Sequence, residues 1–420
     1  MNIEIINTGS ELLLGRVLNT HQQWLCRHLA DLGYTVDRQV AVPDTGRDIQ
    51  QAVREALGRA DLILVTGGLG PTSDDVTRDL IAELLQRPLR EDAAVVAVIE
   101  GFFAQRQRPM PARTRVQALV PEGAVVLPNA HGTAPGLLIE VSPNPFRERG
   151  RTSWLVMLPG PPRELHPMFR EQVVPQLRQR LPLEGEFVCR TLKTTGLGES
   201  FVEEKIASPL QPLVAAGLEI GYCARVGEVD VRFVARGPGA AQTVAEAERL
   251  VRALMPQHIF GEDDDQLEAV IVRRLTERKQ TLALAESCTG GLLAHRITNV
   301  PGASAVFLAG LVTYSNEAKQ RLLGVRAETL AAHGAVSEPV AREMAEGARE
   351  RNGADYALAV TGIAGPAGGT PEKPVGTVFI ALATARKTVA LHPVNRFDRE
   401  TFKYVTSQQA LELLRRNLLP

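Results

Sequence analysis

The feature that most constrains this chain is an alternation of short apolar runs with helical patterns, punctuated by glycine turns. Ile3 to Ile6, Leu62 to Val65, Leu137 to Val141 and Trp154 to Leu158 are runs of strand length, separated by helical patterns such as Asn19 to Leu32 and Arg47 to Leu57. Such alternation indicates a parallel α/β domain over residues 1–181. In a parallel sheet the carboxyl ends of the strands share one edge, which is where ligands usually bind. Ser142 to Thr152, rich in Pro, Asn and Arg, reads as an exposed loop between two strands.

After Pro182 the pattern changes. Val188 to Thr194 suits a strand, Glu199 to Leu210 a helix, Leu218 to Ala224 and Glu228 to Ala235 a hairpin around Val226-Gly227, and Ala241 to Met255 a second helix. Residues 182–260 thus read as a small α+β module. Acidic Glu262 to Asp265 marks a junction, and from residue 261 to 420 helix and strand alternate again. Three domains suit a chain of 420 residues.

Hydrophobic content of 44% and a net charge of -1 describe an ordinary globular protein. No basic run stands out, so a general nucleic-acid or membrane binder is not expected. Met1 to Thr8 reads as a first strand and not a signal peptide, and no apolar stretch reaches spanning length, so a cytoplasmic protein is expected. Cys26, Cys189, Cys223 and Cys288 are far apart, which offers neither a disulfide framework nor a zinc site.

Two stretches of the first domain carry chemistry. Val65 to Thr77 combines a buried strand, a turn containing Thr66, Gly67 and Gly68, and a helix start bearing Asp74 and Asp75. Glycines let the backbone approach a phosphate, turn amides receive it, and the two carboxylates suit a hard divalent cation bridging to it. The turn Thr8-Gly9-Ser10-Glu11 ends the first strand and brings Ser10 and Glu11 to the same rim, as Pro159 to Glu164 brings Glu164. Ordinary helix capping explains any one of these turns taken alone.

The last domain carries a second constellation. Ala285 to Gly291 reads Ala-Glu-Ser-Cys-Thr-Gly-Gly, and Thr313 to Lys319 reads Thr-Tyr-Ser-Asn-Glu-Ala-Lys. Gln280 to Ala285 suits a buried strand and Leu292 to Ile297 a helix, so Ser287 falls at a strand-to-helix turn. The amides of Cys288, Thr289, Gly290 and Gly291 would then face an oxyanion above that turn. Phe307 to Thr313 repeats the geometry, with Tyr314 at the strand end and Ser315 or Asn316 capping the helix that holds Lys319. A serine needs a neighbour to take its proton, and lysine or tyrosine can replace histidine in that part. Burial as a small apolar residue is the expectation for Cys288.

These residues resemble the CinA family of competence/damage-inducible proteins. The resemblance rests on Thr8 to Gly15, Gly67 to Asp75, Gly132 to Gly136 and Leu158 to Leu165 in the first domain. In the last it rests on the two stretches above with Gly334 to Pro339 and Thr361 to Pro366. It implies a C-terminal nicotinamide-nucleotide amidase (PncC type) that converts nicotinamide mononucleotide to nicotinate mononucleotide and ammonia. By that similarity Ser287 is the nucleophile and Tyr314 and Lys319 handle protons, with no cofactor expected. Thr289, Gly290, Gly291, Asn316, Thr361, Gly362 and Arg399 would bind substrate, although Phe397 stands where relatives often carry glycine before the Asp-Arg pair. The first domain resembles the molybdopterin-binding (MoaB/MogA-like) fold, and the resemblance implies a metal-dependent ADP-ribose pyrophosphatase there. The alternative is a competence or DNA-damage adaptor whose first domain only binds a pterin- or nucleotide-like ligand. The middle module resembles a KH-type domain yet lacks the Gly-x-x-Gly loop that clamps nucleic acid, so a structural or dimer-forming part in a homodimer is expected.

Overall fold

A computed structural model describes residues 1–419 and divides the chain into two compact units, Met1–Phe187 and Val188–Pro420. The strands of the first unit are β1 (Ile3–Thr8), β2 (Arg38–Val42), β3 (Leu62–Thr66), β4 (Leu89–Glu91), β5 (Leu119–Pro121), β6 (Val125–Leu127), β7 (Gly136–Val141) and β8 (Ser153–Leu158). Six of them form one sheet in the order β2-β1-β3-β8-β7-β6, while β4 and β5 pair separately.

Successive residues of β1 and β3 are buried on opposite faces. Ile6, Ile63 and Val65 pack with Ile49 and Val53 of helix Gly46–Leu57. Ile3, Ile5, Leu62 and Leu64 pack with Leu25 and Leu29 of helix Thr20–Asp31, and with Leu165 and Phe169. Helices therefore cover both faces, and each enclosed Leu or Ile contributes roughly 1.5–3 kcal/mol.

The sheet is parallel only over β2, β1, β3 and β8. Strand β7, expected within a parallel domain, runs antiparallel to β8 and to β6. The cause lies in the connection between β7 and β8, which has no crossover helix, so the chain returns beside itself. That connection is also less exposed than its composition suggests. Asn144 is buried and donates to the Leu57 carbonyl at 2.7 Å, and buried Arg147 pairs with Asp61 at 2.7 Å.

In the second unit β9 (Phe187–Thr195), β10 (Glu219–Arg225), β11 (Glu228–Arg236) and β12 (Ile259–Glu262) form a sheet in the order β10-β11-β9-β12. Helices Glu199–Ala215 and Ala240–Leu254 complete this module. The first runs five residues past its expected end at Leu210 despite Pro209 and Pro212, and within the added turn Leu213 packs against the module's core.

The final sheet has the order β14-β13-β15-β16-β17, from β13 (Leu282–Glu286), β14 (Phe307–Val312), β15 (Tyr356–Gly362), β16 (Val378–Ala383) and β17 (Thr388–Leu391). Here β13, β14 and β15 are parallel, and β16 and β17 add antiparallel strands. Sequence alternation assigns the two faces. Leu282, Leu284, Leu358 and Val360 meet helices Leu267–Arg278 and Arg399–Asn417. Ala283, Ala285, Ala357 and Ala359 instead meet helix Glu338–Asn352, and their small side chains allow a closer approach.

Candidate functional site

The parallel strands of the last sheet end level with one another, Glu286 standing opposite both Val312 and Val360. Residues just beyond them, Ser287, Thr313, Tyr314 and Thr361, therefore meet at one edge. Lys319 reaches this edge from helix Asn316–Leu323, whose cap is Ser315, its Oγ accepting from the Ala318 amide at 3.1 Å. Asn316 is the first helical residue and exposed.

Lys319 is 1% exposed. Its Nζ lies 2.8 Å from the Thr313 carbonyl, 3.3 Å from the Tyr314 carbonyl and 3.1 Å from Ser287 Oγ. No carboxylate among the described residues pairs with it. Burial pushes its pKa below the ordinary lysine range, partly offset by the nearby Cys288 sulfur. A neutral amine has two hydrogens and one lone pair. With the two carbonyls taking the hydrogens, the lone pair is left for the Ser287 hydroxyl.

The oxyanion donors differ from the expected set. Buried Glu286 accepts from the amides of Gly291, Leu293 and Ala294 at 3.0, 3.1 and 2.9 Å, and the Gly290 amide donates to the Ser287 carbonyl at 3.2 Å. A carboxylate enclosed at the end of β13 needs donors, and the adjoining helix start is the nearest source. The amides left without a carbonyl or carboxylate are those of Cys288 and Thr289, which lie against the Cys288 sulfur. Gly290 and Gly291, at φ +61 and +98, supply the turn itself. Burial pushes the Cys288 thiol up to about 12, so this cysteine is a neutral core group.

The remaining residues surround that centre. Thr289 Oγ1 is buried without a partner. The Thr361 hydroxyl donates to the Ala335 carbonyl at 2.8 Å, and a Cβ on Gly362 would stand 2.8 Å from the Thr377 carbonyl, so both are committed to packing. Arg399 donates to the Gly365 carbonyl at 2.8 Å and to the Tyr314 hydroxyl at 2.9 Å, which joins the glycine-rich loop to Tyr314.

A second candidate site lies at the carboxyl edge of the first sheet, where Thr8 stands opposite Val42 and Thr66 opposite Leu158. The cleft there holds about 400 Å³ and is lined by Gly67, Gly68, Glu11, Asp74, Asp75 and Glu164, with Asp44 and Gln117 added. No lysine, arginine or histidine lines it. A phosphate would need a cation to enter such a rim. Gly68, at φ +66, leaves no room for a side chain, since an added Cβ would stand 2.0 Å from Thr77 Oγ1.

Ser10 and Thr66 serve this cleft from behind. Ser10 exchanges hydrogen bonds with Asp44 at 2.8 and 3.1 Å, and Thr66 Oγ1 accepts from Asn7 at 2.7 Å. Asp75 is tied to Thr72 by its amide at 2.9 Å and by its hydroxyl, whereas Asp74 is exposed at the rim. Both precede helix Thr77–Leu84 and do not lie on its first turn. Among the described residues no three acids, histidines or cysteines form a ready metal cluster. A Mg²⁺-like ion held by one or two carboxylates and the ligand's own phosphates remains compatible with this donor set.

Three residues at these sites were not anticipated. Glu286, an acid closing an apolar run, signals a buried carboxylate that the next turn must satisfy. Asp44 follows β2 at the binding edge. Gln117 is 3% exposed with Oε1 unpartnered, and nothing local in its sequence marks it.

Comparison with known proteins supports three domains in order. "Probable molybdopterin binding domain" matches residues 4–179, "Damage-inducible protein CinA KH domain" residues 189–261, and "CinA C-terminal domain" residues 264–418. A protein of Symbiobacterium thermophilum named for competence and damage induction is 46% identical over 100% of this chain and 99% of its own. A CinA-like protein of Akkermansia muciniphila is 45% identical over 98% and 96%. The solved structure of competence/damage inducible protein CihA from Agrobacterium tumefaciens is 42% identical, covers 36% of this chain and 94% of its own, and has a TM-score of 0.34. No helix among the described residues is long and apolar enough to cross a membrane. With relatives matching along its whole length, the chain belongs to the CinA family and is a three-domain α/β protein of molybdopterin-binding, KH and CinA C-terminal domains.

Proposed function

We propose that the C-terminal domain is a serine amidase acting on nicotinamide mononucleotide. The observation that carries this reading is the buried amine of Lys319, without a carboxylate partner and 3.1 Å from Ser287 Oγ. Lys319 takes the hydroxyl proton as Ser287 Oγ bonds to the amide carbon, and the amides of Cys288 and Thr289 meet the oxyanion. The C–N bond then breaks as the Lys319 ammonium returns the proton to nitrogen, releasing ammonia. Water, deprotonated by the same amine, attacks the ester carbonyl, and the ammonium returns that proton to Ser287 Oγ as nicotinate mononucleotide leaves. The Tyr314 carbonyl orients the amine. A proton-handling part for its hydroxyl requires that hydroxyl to leave Arg399 when substrate binds.

For the first domain we propose metal-dependent hydrolysis of the ADP-ribose pyrophosphate. A divalent ion would supply charge neutralisation and activate water there. Asp74 and Asp75 would hold it, with Glu164 on the same rim, and Gly67 and Gly68 give the phosphates close access to the backbone. The adaptor alternative draws support from the lack of a ready metal cluster among the described residues, and it requires binding without turnover.

Chromatographic detection of nicotinate mononucleotide and AMP from the two substrates tests both readings. Formation of nicotinate mononucleotide supports the amidase, and its absence with folded protein rejects it. AMP formation only with divalent metal supports the pyrophosphatase. Retained ADP-ribose binding without AMP favours the adaptor.

A further inference from the structure

The first unit has a second cavity, at the edge of its main sheet opposite the glycine turns. It holds about 410 Å³, within the range of small-molecule pockets, and lies where β7 ends at Val141, opposite Ser153 at the start of β8. The Gly67 cleft lies beyond the other end of β8, where Leu158 stands opposite Thr66. Arg54 and Arg87 line the second cavity, and no carboxylate does. The acidic rim at the glycine turns has the reverse composition.

Both arginines keep N–H groups without an acceptor. The Arg54 guanidinium, on helix Gly46–Leu57, lies 5.2 Å from the centre of the Phe146 ring and has no hydrogen bond or ion pair among the described residues. Half-buried Arg87 donates to the Glu140 carbonyl and, at 3.2 Å, to the Glu122 carbonyl, while its Nε has no acceptor among the described residues. A guanidinium presents its N–H groups in a planar fork that matches the oxygens of a phosphate. The cavity also offers acceptors. Helix Thr77–Leu84 ends at it, and the carbonyls of Leu84, Leu85 and Gln86 take no hydrogen bond among the described residues. Pro88 has no N–H to return to the Leu84 carbonyl. A bare anion would meet the arginines and be repelled by the carbonyls, and a neutral sugar would meet the carbonyls and leave the arginines without a counter-charge. A ligand with both a phosphate and hydroxyl groups satisfies both walls.

We propose that this cavity is a binding site for a sugar phosphate, with Arg54 and Arg87 on the phosphate and the carbonyls at the helix end on the sugar hydroxyls. The site is separate from the Gly67 cleft and from the Ser287 turn, and it depends on neither of the activities proposed for them.

Titration calorimetry of the full chain with ribose 5-phosphate, ribose and inorganic phosphate tests this, in EDTA so that no divalent ion draws phosphate into the acidic cleft. Wild type should bind ribose 5-phosphate, bind inorganic phosphate about tenfold more weakly or less, and give no heat with ribose. Arg54→Gln should weaken ribose 5-phosphate binding about tenfold, the effect of losing one charge-assisted contact, and should melt as wild type does because Arg54 holds no polar partner. Arg87→Gln should weaken it in the same direction, with its melting measured because Arg87 also ties down two carbonyls. Asp74→Asn, at the other edge of the sheet, should bind ribose 5-phosphate as wild type does. No binding by wild type, equal affinity in wild type and Arg54→Gln, or inorganic phosphate bound as tightly as ribose 5-phosphate overturns the inference. Binding lost in Asp74→Asn places the ligand in the Gly67 cleft and overturns it too.

Discussion

Lys319 and Glu286 divide the polar work of one turn: the lysine faces the Ser287 hydroxyl while the glutamate, on the other side of the same backbone, holds the helix start that follows. The lysine is buried without an opposing charge, and the glutamate is buried with three amide donors. The first arrangement favours a neutral amine and the second secures the turn that presents the nucleophile.

Removing the amine tests its part in proton transfer. Lys319→Met should lower ammonia release about 100- to 10,000-fold, and Lys319→Arg should fail as well because guanidinium does not give up its proton. Steady-state rates alongside thermal melting separate chemistry from folding. Either variant working near the wild-type rate contradicts the assignment.

The pH profile follows from the direction of the Lys319 shift. Burial lowers its pKa, so the amine becomes neutral at a lower pH than a free lysine would. The neutral form is the base. The ratio kcat/KM should therefore rise with pH to a plateau, its midpoint below the ordinary lysine range. A rate that falls over that interval, while the protein stays folded, means the protonated lysine is the working form.

Replacing Glu286 by alanine should destabilise the last domain by about 1–3 kcal/mol, because the three amides it satisfies would lose their acceptor. Urea denaturation measures this. A loss below about 0.5 kcal/mol means water replaces the carboxylate at little cost.

For the first domain Asp74 is the cleaner residue to change, since Asp75 also ties down the turn through Thr72. Asp74→Asn should abolish metal-dependent AMP release from ADP-ribose and leave ammonia release from nicotinamide mononucleotide unaltered. Retained AMP release removes Asp74 from the metal site.

Gly68→Ala tests the space that the glycine leaves. With φ at +66 and Thr77 Oγ1 in the way of a Cβ, the variant should melt several degrees lower and bind ADP-ribose more weakly. Wild-type stability and binding would show that the turn can shift to admit a methyl group.

Much of this was legible in sequence because it depends on local periodicity. The leucine and alanine faces of β13 and β15 can be read from alternation, as can the turns that end β1, β3 and β13. The direction of β7 was not legible, since strand polarity depends on the connection and Ser142 to Thr152 looks like any surface loop. At the sites, sequence brought Ser287 and Lys319 together through motif resemblance, but of the four turn amides it offered to an oxyanion, Glu286 takes that of Gly291 and the Ser287 carbonyl takes that of Gly290. Hydrogen-bond competition between a buried side chain and a turn is a three-dimensional matter. Gln117 escaped for the same reason, its unpartnered oxygen being visible only once the cleft is formed.

The most direct test of the central claim is ammonia release from nicotinamide mononucleotide by wild type and Ser287→Ala, both verified as folded. The serine amidase account predicts steady release by wild type and none above background from the variant. Equal release by the two, or none from folded wild type, would contradict it.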